Sequence, residues 1–146
     1  MLALTLPESE IKGFMGKLLR EDMFDGFDVK SVLIESFARF EVGLAADANG
    51  ERLSWAQIRP FAFEVIKNGG KPALVKVVLA LSQAEAEALF PEAKALFINI
   101  TFENGGVMIT TGSSEKAFSL ERKLERAWDE HARGILAGKG VRFDEA

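Results

Sequence analysis

The dipeptide Asn104-Gly105 constrains what this chain can fold into more than any other feature. Both residues tolerate positive φ, which a two-residue type I′ turn demands, and that turn matches the twist of paired strands. The flanking runs, L-F-I-N-I-T-F-E before it and G-V-M-I-T-T after it, alternate as strands do. A turn at 104–105 pairs Glu103 with Gly106, Phe102 with Val107, Thr101 with Met108, Ile100 with Ile109, Asn99 with Thr110 and Ile98 with Thr111. That register collects Ile98, Ile100, Phe102, Val107 and Ile109 on one face, and Asn99, Thr101, Glu103 and Thr110 on the other. A slip of one residue would mix the faces. Gly106 leaves room for a bulged variant. The hairpin therefore predicts a sheet with one apolar side, which other segments must cover.

Leu2, Leu4 and Leu6 alternate with Ala3 and Thr5 as a half-buried strand, closed by Pro7. Ile11, Phe14, Met15, Leu18 and Leu19 form a single apolar stripe, predicting a helix over 8–20. Residues 29–44 read as one long strand, bent or bulged near Ser36, and Asp47-Ala48-Asn49-Gly50 as a turn. Ser54 to Asn68 reads as a second helix with a core stripe of Ile58, Phe61, Ala62, Val65 and Ile66. Pro60 places its regular start near Arg59, with 54–58 an irregular lead-in, and Asn68-Gly69-Gly70 ends it. Ala73 to Leu81 is aliphatic apart from Lys76, as in a central strand covered on both faces. Ser82-Gln83-Ala84-Glu85 opens a short helix to about Phe90. Ser119 caps a final helix whose inward stripe is Leu120, Leu124, Ala127, Trp128, His131 and Ile135, and Val141-Arg142-Phe143 adds a short strand. No linker divides the chain, so residues 1–146 are read as a single domain. The expected class is α+β: a mostly antiparallel, mixed sheet of five to seven strands with helices packed on one face.

At 146 residues the chain can bury a core without disulfides or metal. A net charge of −4 supplies no general attraction to nucleic acid or to an anionic membrane. With no cysteine, thiolate zinc sites, iron–sulfur clusters and cysteine nucleophiles are excluded; with His131 alone, so is a two-histidine metal site within one chain. Nothing in the sequence calls for a metal or other cofactor. No apolar run approaches the roughly 20 residues of a membrane span, and the N-terminus lacks the basic start of a signal peptide. The expected location is cytoplasmic.

Several clusters are candidate sites. Thr110, Thr111, Ser113 and Ser114 surround Gly112 where the hairpin leads toward a helix. Hydroxyls and backbone N–H groups there could cradle an anion, with Lys116 adding charge. The plainer account is a solvated strand exit, and no phosphate-loop lysine or G-x-G-x-x-G accompanies it. Trp55, Arg59, Phe63 and Lys67 recur every four residues off the core stripe, an aromatic-basic ridge of the kind enriched at interaction surfaces. Alternatively, the two rings extend the core and the cations snorkel. Glu21, Asp22, Asp25 and Asp28 could hold a hard cation, but their spacing is not that of a calcium loop, and turn chemistry accounts for them. His131 shares its stripe with Trp128 while Asp129 faces elsewhere, so a packed ring is expected rather than a catalytic one. The function expected on this basis is a non-catalytic protein-interaction module, its partner another protein or a second copy of the chain. The alternative is a small-molecule or anion-binding protein using Thr110–Ser114.

The order strand, helix, strand, strand recurs, first from Leu2 to Leu44 and again from Val78 to Gly112. In topology this resembles the sliding-clamp fold, which is built from duplicated β-α-β-β units. The resemblance implies a clamp-like DNA accessory factor as a second alternative, yet Glu85, Glu87 and Glu92 stand where phosphates need lysine or arginine. A closer resemblance spans the whole chain. It is carried by Phe14-Met15-Gly16-Lys17-Leu18-Leu19, Phe24-Asp25, Arg59-Pro60, Thr110-Thr111-Gly112-Ser113-Ser114 and Ala127-Trp128-Asp129-Glu130. With these the chain resembles a small family of bacterial proteins, mostly from Firmicutes, of about this length and without an assigned activity. That resemblance implies a domain of unknown function and transfers no catalytic residue.

Overall fold

The computed structural model describes residues 1–43, 53–117 and 122–146. In chain order its elements are β1 (Ala3–Thr5), α1 (Glu8–Arg20), β2 (Asp28–Glu35), β3 (Arg39–Gly43), α2 (Trp55–Gly69), β4 (Leu74–Ala80), α3 (Gln83–Leu89), β5 (Ala93–Glu103), β6 (Gly106–Glu115), α4 (Lys123–Gly138) and β7 (Asp144–Glu145). The strands form one open sheet in the order β3-β2-β4-β5-β6-β1-β7. Every pairing is antiparallel, so the sheet is not mixed. The class is α+β.

The hairpin of β5 and β6 adopts all six expected pairs, from Glu103↔Gly106 to Ile98↔Thr111. Asn104 and Gly105 have φ of 53° and 76°, the positive values that a type I′ turn requires. Register then carries the apolar face across the sheet. Val32, Val77, Ile100, Ile109 and Leu4 lie in one cross-strand row, with Ile34, Val75, Phe102 and Val107 in the next. Onto this face pack Phe14 and Leu18 of α1, Trp55 and Ala62 of α2, and Leu124, Trp128, Ala132 and Leu136 of α4, giving one hydrophobic cluster. The other face is mixed: Leu33, Lys76, Thr101 and Met108 form one of its rows. Lys76 and Met108 there are exposed, whereas Leu74 and Val78 are half-buried and Ala80 is buried, so β4 is covered less completely on this face than the expected central strand.

The described part of the expected long strand, residues 29–43, forms not one bent strand but the β2–β3 hairpin, turning through Ser36, Phe37 and Ala38, with the ladder irregular between Val29 and Ser31. A three-residue loop keeps Val32 and Ile34 on the same face as Phe40 and Val42, which is why the alternation continues across it. Helix α2 begins at Trp55, not Arg59. Gln57 Oε1 accepts from the Ser54 N–H at 2.9 Å, and the buried Trp55 indole donates to the Leu18 carbonyl at 2.9 Å. Those anchors hold the first turn in helical form ahead of Pro60. The terminal strand falls at Asp144–Glu145 rather than 141–143, pairing with β1. The expected turn at 47–50 and the Ser119 cap with Leu120 lie outside the described residues. Strand, helix, strand, strand does occur twice in chain order, but the pairings differ. β4 pairs with its own β5, whereas β1 leaves β2 and lies between β6 and β7.

Candidate functional site

The Thr110–Lys116 segment is strand, not turn: β6 runs to Glu115, paired with β5 back to Ala93. Alternation therefore sends its hydroxyls to opposite faces. Thr110 Oγ1 accepts from Asn99 Nδ2 at 3.2 Å on the mixed face. Thr111 is buried on the helix side, where its Oγ1 accepts from the Leu2 N–H at 2.9 Å and donates to Asp129 Oδ1 at 2.5 Å. Beside it the Met1 ammonium pairs with Glu125, holding that carboxyl below the usual glutamate range, and lies 3.7 Å from Asp129. Ser113 and Ser114 continue the ladder opposite Leu96 and Ala95. The Lys116 ammonium meets Glu87 at 2.7 Å on α3, and together with a bond from Gln83 this keeps the Glu87 carboxyl below its ordinary range. The five side chains thus do not converge on one point; Thr111 instead ties β1, β6 and α4 together.

The residues of the expected ridge divide in a similar way. Trp55 is fully buried and Phe63 half-buried against the core, while Lys67 is exposed. Arg59 forms a bidentate pair with Asp25 at 2.8 and 2.9 Å, and that contact raises the guanidinium pKa further. Asp25 is therefore engaged as an anchor for α2, and among the described residues no acidic or histidine cluster is arranged to hold a metal ion. His131 stacks on Trp128 with ring centres 5.9 Å apart and meets Phe90 edge-on, the packing role expected of it.

What the sequence reading missed lies on the other flank of α2. Phe61, expected in the core, is 71% exposed, and Phe37 in the β2–β3 turn is 75% exposed. The phase of the helix explains the first. Trp55 and Arg59 face α1 and the α1–β2 connection. Phe61 follows Arg59 by two residues, roughly 200° round the helix, and so points away from α1. Helix α2 runs alongside β2 in the same direction. The Val29 N–H donates to the Leu53 carbonyl at 2.8 Å at one end. At the other, a Cβ on Gly69 would come within 2.8 Å of Ser36 Oγ and 3.1 Å of the Phe37 ring, so the helix end lies close against the β2–β3 turn. The flank away from α1 is therefore the one on the side of β3, the strand beyond β2, which presents Phe40 and the exposed Val42 on the same face of the sheet as Val32 and Ile34. Leu53, also exposed, extends the patch toward the helix start. β3 is the last strand on this side, and among the described residues nothing pairs with its outer edge. Arg39 and Glu41 alternate with Phe40 along it, each exposed.

A concavity lies on the α1 side of α2, beside the hairpin turn. It measures about 450 Å³ and is walled by Ile11, Met15 and Leu19 of α1, Ile66 of α2 and Phe102 of β5. Lys12, Lys71 and Glu8 stand on its rim. No helix among the described residues is long and apolar enough to cross a membrane. No curated protein and no solved structure matches the chain. Residues 17–144, from the last turn of α1 to the start of β7, match the model of a family described as a family of unknown function (DUF5721), and the chain belongs to that family.

Proposed function

We propose that the protein is a protein-interaction module that works by self-association through the β3–α2 flank. The observation that supports this reading is the pairing of two largely exposed phenylalanines, Phe37 and Phe61, with an edge strand whose outer side is unpaired among the described residues. Soluble chains normally keep a free edge short, charged or covered, and contiguous exposed apolar surface marks contact sites. The charge pattern favours a second copy as partner. Antiparallel pairing of β3 with itself about a twofold axis at Phe40 sets Arg39 of each copy opposite Glu41 of the other. Opposite-charge cross-strand pairs contribute about 0.2–1 kcal/mol each, and like charges there are destabilising. Phe40, Val42 and Phe61 then supply apolar area at the centre of a two-fold interface.

Sedimentation or light scattering across a micromolar concentration series tests the reading. A concentration-dependent dimer is expected, weakened by Phe61→Asp and by Phe37→Asp, both of which leave the core untouched. Arg39→Glu alone and Glu41→Arg alone should each weaken it, and the double swap should restore it. A monomer at every concentration overturns the reading, as does a dimer indifferent to all four substitutions.

A further inference from the structure

We propose that the concavity between α1 and α2 is a binding site for a medium-chain aliphatic carboxylate. It lies on the opposite flank of α2 from the self-association surface and does not depend on it. Its walls come from a mismatch in widths. The α1 stripe comprises Ile11, Phe14, Met15, Leu18 and Leu19, but only Phe14, Leu18 and Leu19 are buried, leaving Ile11 and Met15 half-covered. Ile66 of α2 and Phe102 at the end of β5 are likewise half-covered, and these side chains line the opening. The volume of about 450 Å³ falls within the range of small-molecule pockets, roughly 300–1,000 Å³.

The rim selects the head group. Lys12 on α1 and Lys71 in the α2–β4 connection are exposed, and among the described residues neither ammonium group forms an ion pair or hydrogen bond. The lining holds two lysines and one carboxylate, Glu8, which leaves an excess of one positive charge beside an apolar hollow. A monoanionic head with an unbranched tail matches both halves: the carboxylate accepts from the two ammonium groups while the tail lies against Met15, Ile66 and Phe102. A cationic amphiphile would meet like charge, and a neutral one would leave the lysines unused.

Titration of the full chain with decanoate below its micelle concentration, followed by calorimetry and by the Met15 methyl resonance, tests the assignment. Decanoate should bind and shift that methyl, with affinity rising about two- to fourfold per methylene from hexanoate to decanoate. Decanol should bind about tenfold more weakly, in the range by which charge-assisted hydrogen bonds exceed neutral ones, and decyltrimethylammonium not at all. Lys12→Ala and Lys71→Ala should each weaken decanoate binding while leaving decanol unchanged, and Glu8→Gln should tighten it. Met15→Trp should fill the hollow and abolish binding with the fold intact by circular dichroism; should that variant unfold, the lysine variants decide. Equal affinity for decanoate and decanol, no binding at all, or binding that leaves the Met15 methyl unmoved overturns the proposal. So does decanoate affinity unchanged by both lysine substitutions.

Discussion

Thr111 is a polar residue at 1% exposure in a core of hydrophobic side chains, and its surroundings explain why it is tolerated there. Its hydroxyl uses both capacities, accepting from the Leu2 N–H and donating to Asp129, so burial leaves neither partner unmatched. Valine has the same shape without the hydroxyl. Thr111→Val should therefore leave the Leu2 amide without this acceptor and destabilise the fold by about 1–3 kcal/mol, read as a lower urea midpoint at unchanged m-value. A change below about 0.5 kcal/mol, the scatter of ordinary surface substitutions, would show that the bridge is not structural. The sequence placed Thr111 correctly opposite Ile98 but marked it as a candidate ligand group. Strand parity alone puts it on the face of Ile109 and Val107, and that was enough to send its hydroxyl inward. The Asp129 partner could not be read in this way, because it depends on how α4 lies across β6.

At the scale of elements, α2 shows which local signals hold and which yield. Pro60 is its sixth residue and cannot return a hydrogen bond to the Ala56 carbonyl. The helix continues through it because Trp55, Arg59 and Ala62 are anchored on the α1 and sheet sides. Pro60→Ala should thus stabilise the protein by about 1–2 kcal/mol. The interior-proline penalty of about 3 kcal/mol is partly offset by the freer unfolded chain, at up to about 1 kcal/mol. Thermal denaturation checks it; a lower melting temperature would mean that Pro60 does more than interrupt a ladder. Reading the helix start from Pro60 misplaced it, and reading the stripe from Ile58 and Val65 included Phe61 by hydrophobicity alone. Phasing from Trp55 gives Trp55, Arg59, Ala62, Ile66 and Gly69 and leaves Phe61 outside. In α4 the same shift occurs: the fully buried row is Leu124, Trp128, Ala132 and Leu136, with Ala127, His131 and Ile135 beside it. By contrast α1 and the β5–β6 register were readable almost to the residue, since each rests on a periodicity or turn that no tertiary contact needs to complete.

For the molecule as a whole, the sheet order grades stability from centre to edge. β4, β5 and β6 are flanked on both sides by other strands and contribute Val77, Leu79, Ile98, Ile100 and Ile109 to the core at 1% exposure or less. β3 and β7 are the outermost strands, and their residues are largely exposed. Amide hydrogen exchange should be slowest in β4–β6 and fastest, among the strands, in β3 and β7. Protection at Arg39–Gly43 should rise with protein concentration if β3 is where copies meet, and uniform exchange across the sheet would contradict the grading. The place of β1 in that order also has a kinetic side. It lies between β6 and β7, with Ala3 opposite Thr110, so the ribosome makes it more than 100 residues before its first neighbour exists. Leu2, Leu4 and Leu6 must wait, unpaired, while the β2–β3 and β5–β6 hairpins form from near neighbours. Closing that long loop costs chain entropy before its contacts form, so topology makes β1 a late arrival in assembly, with its leucines uncovered until β6 is made.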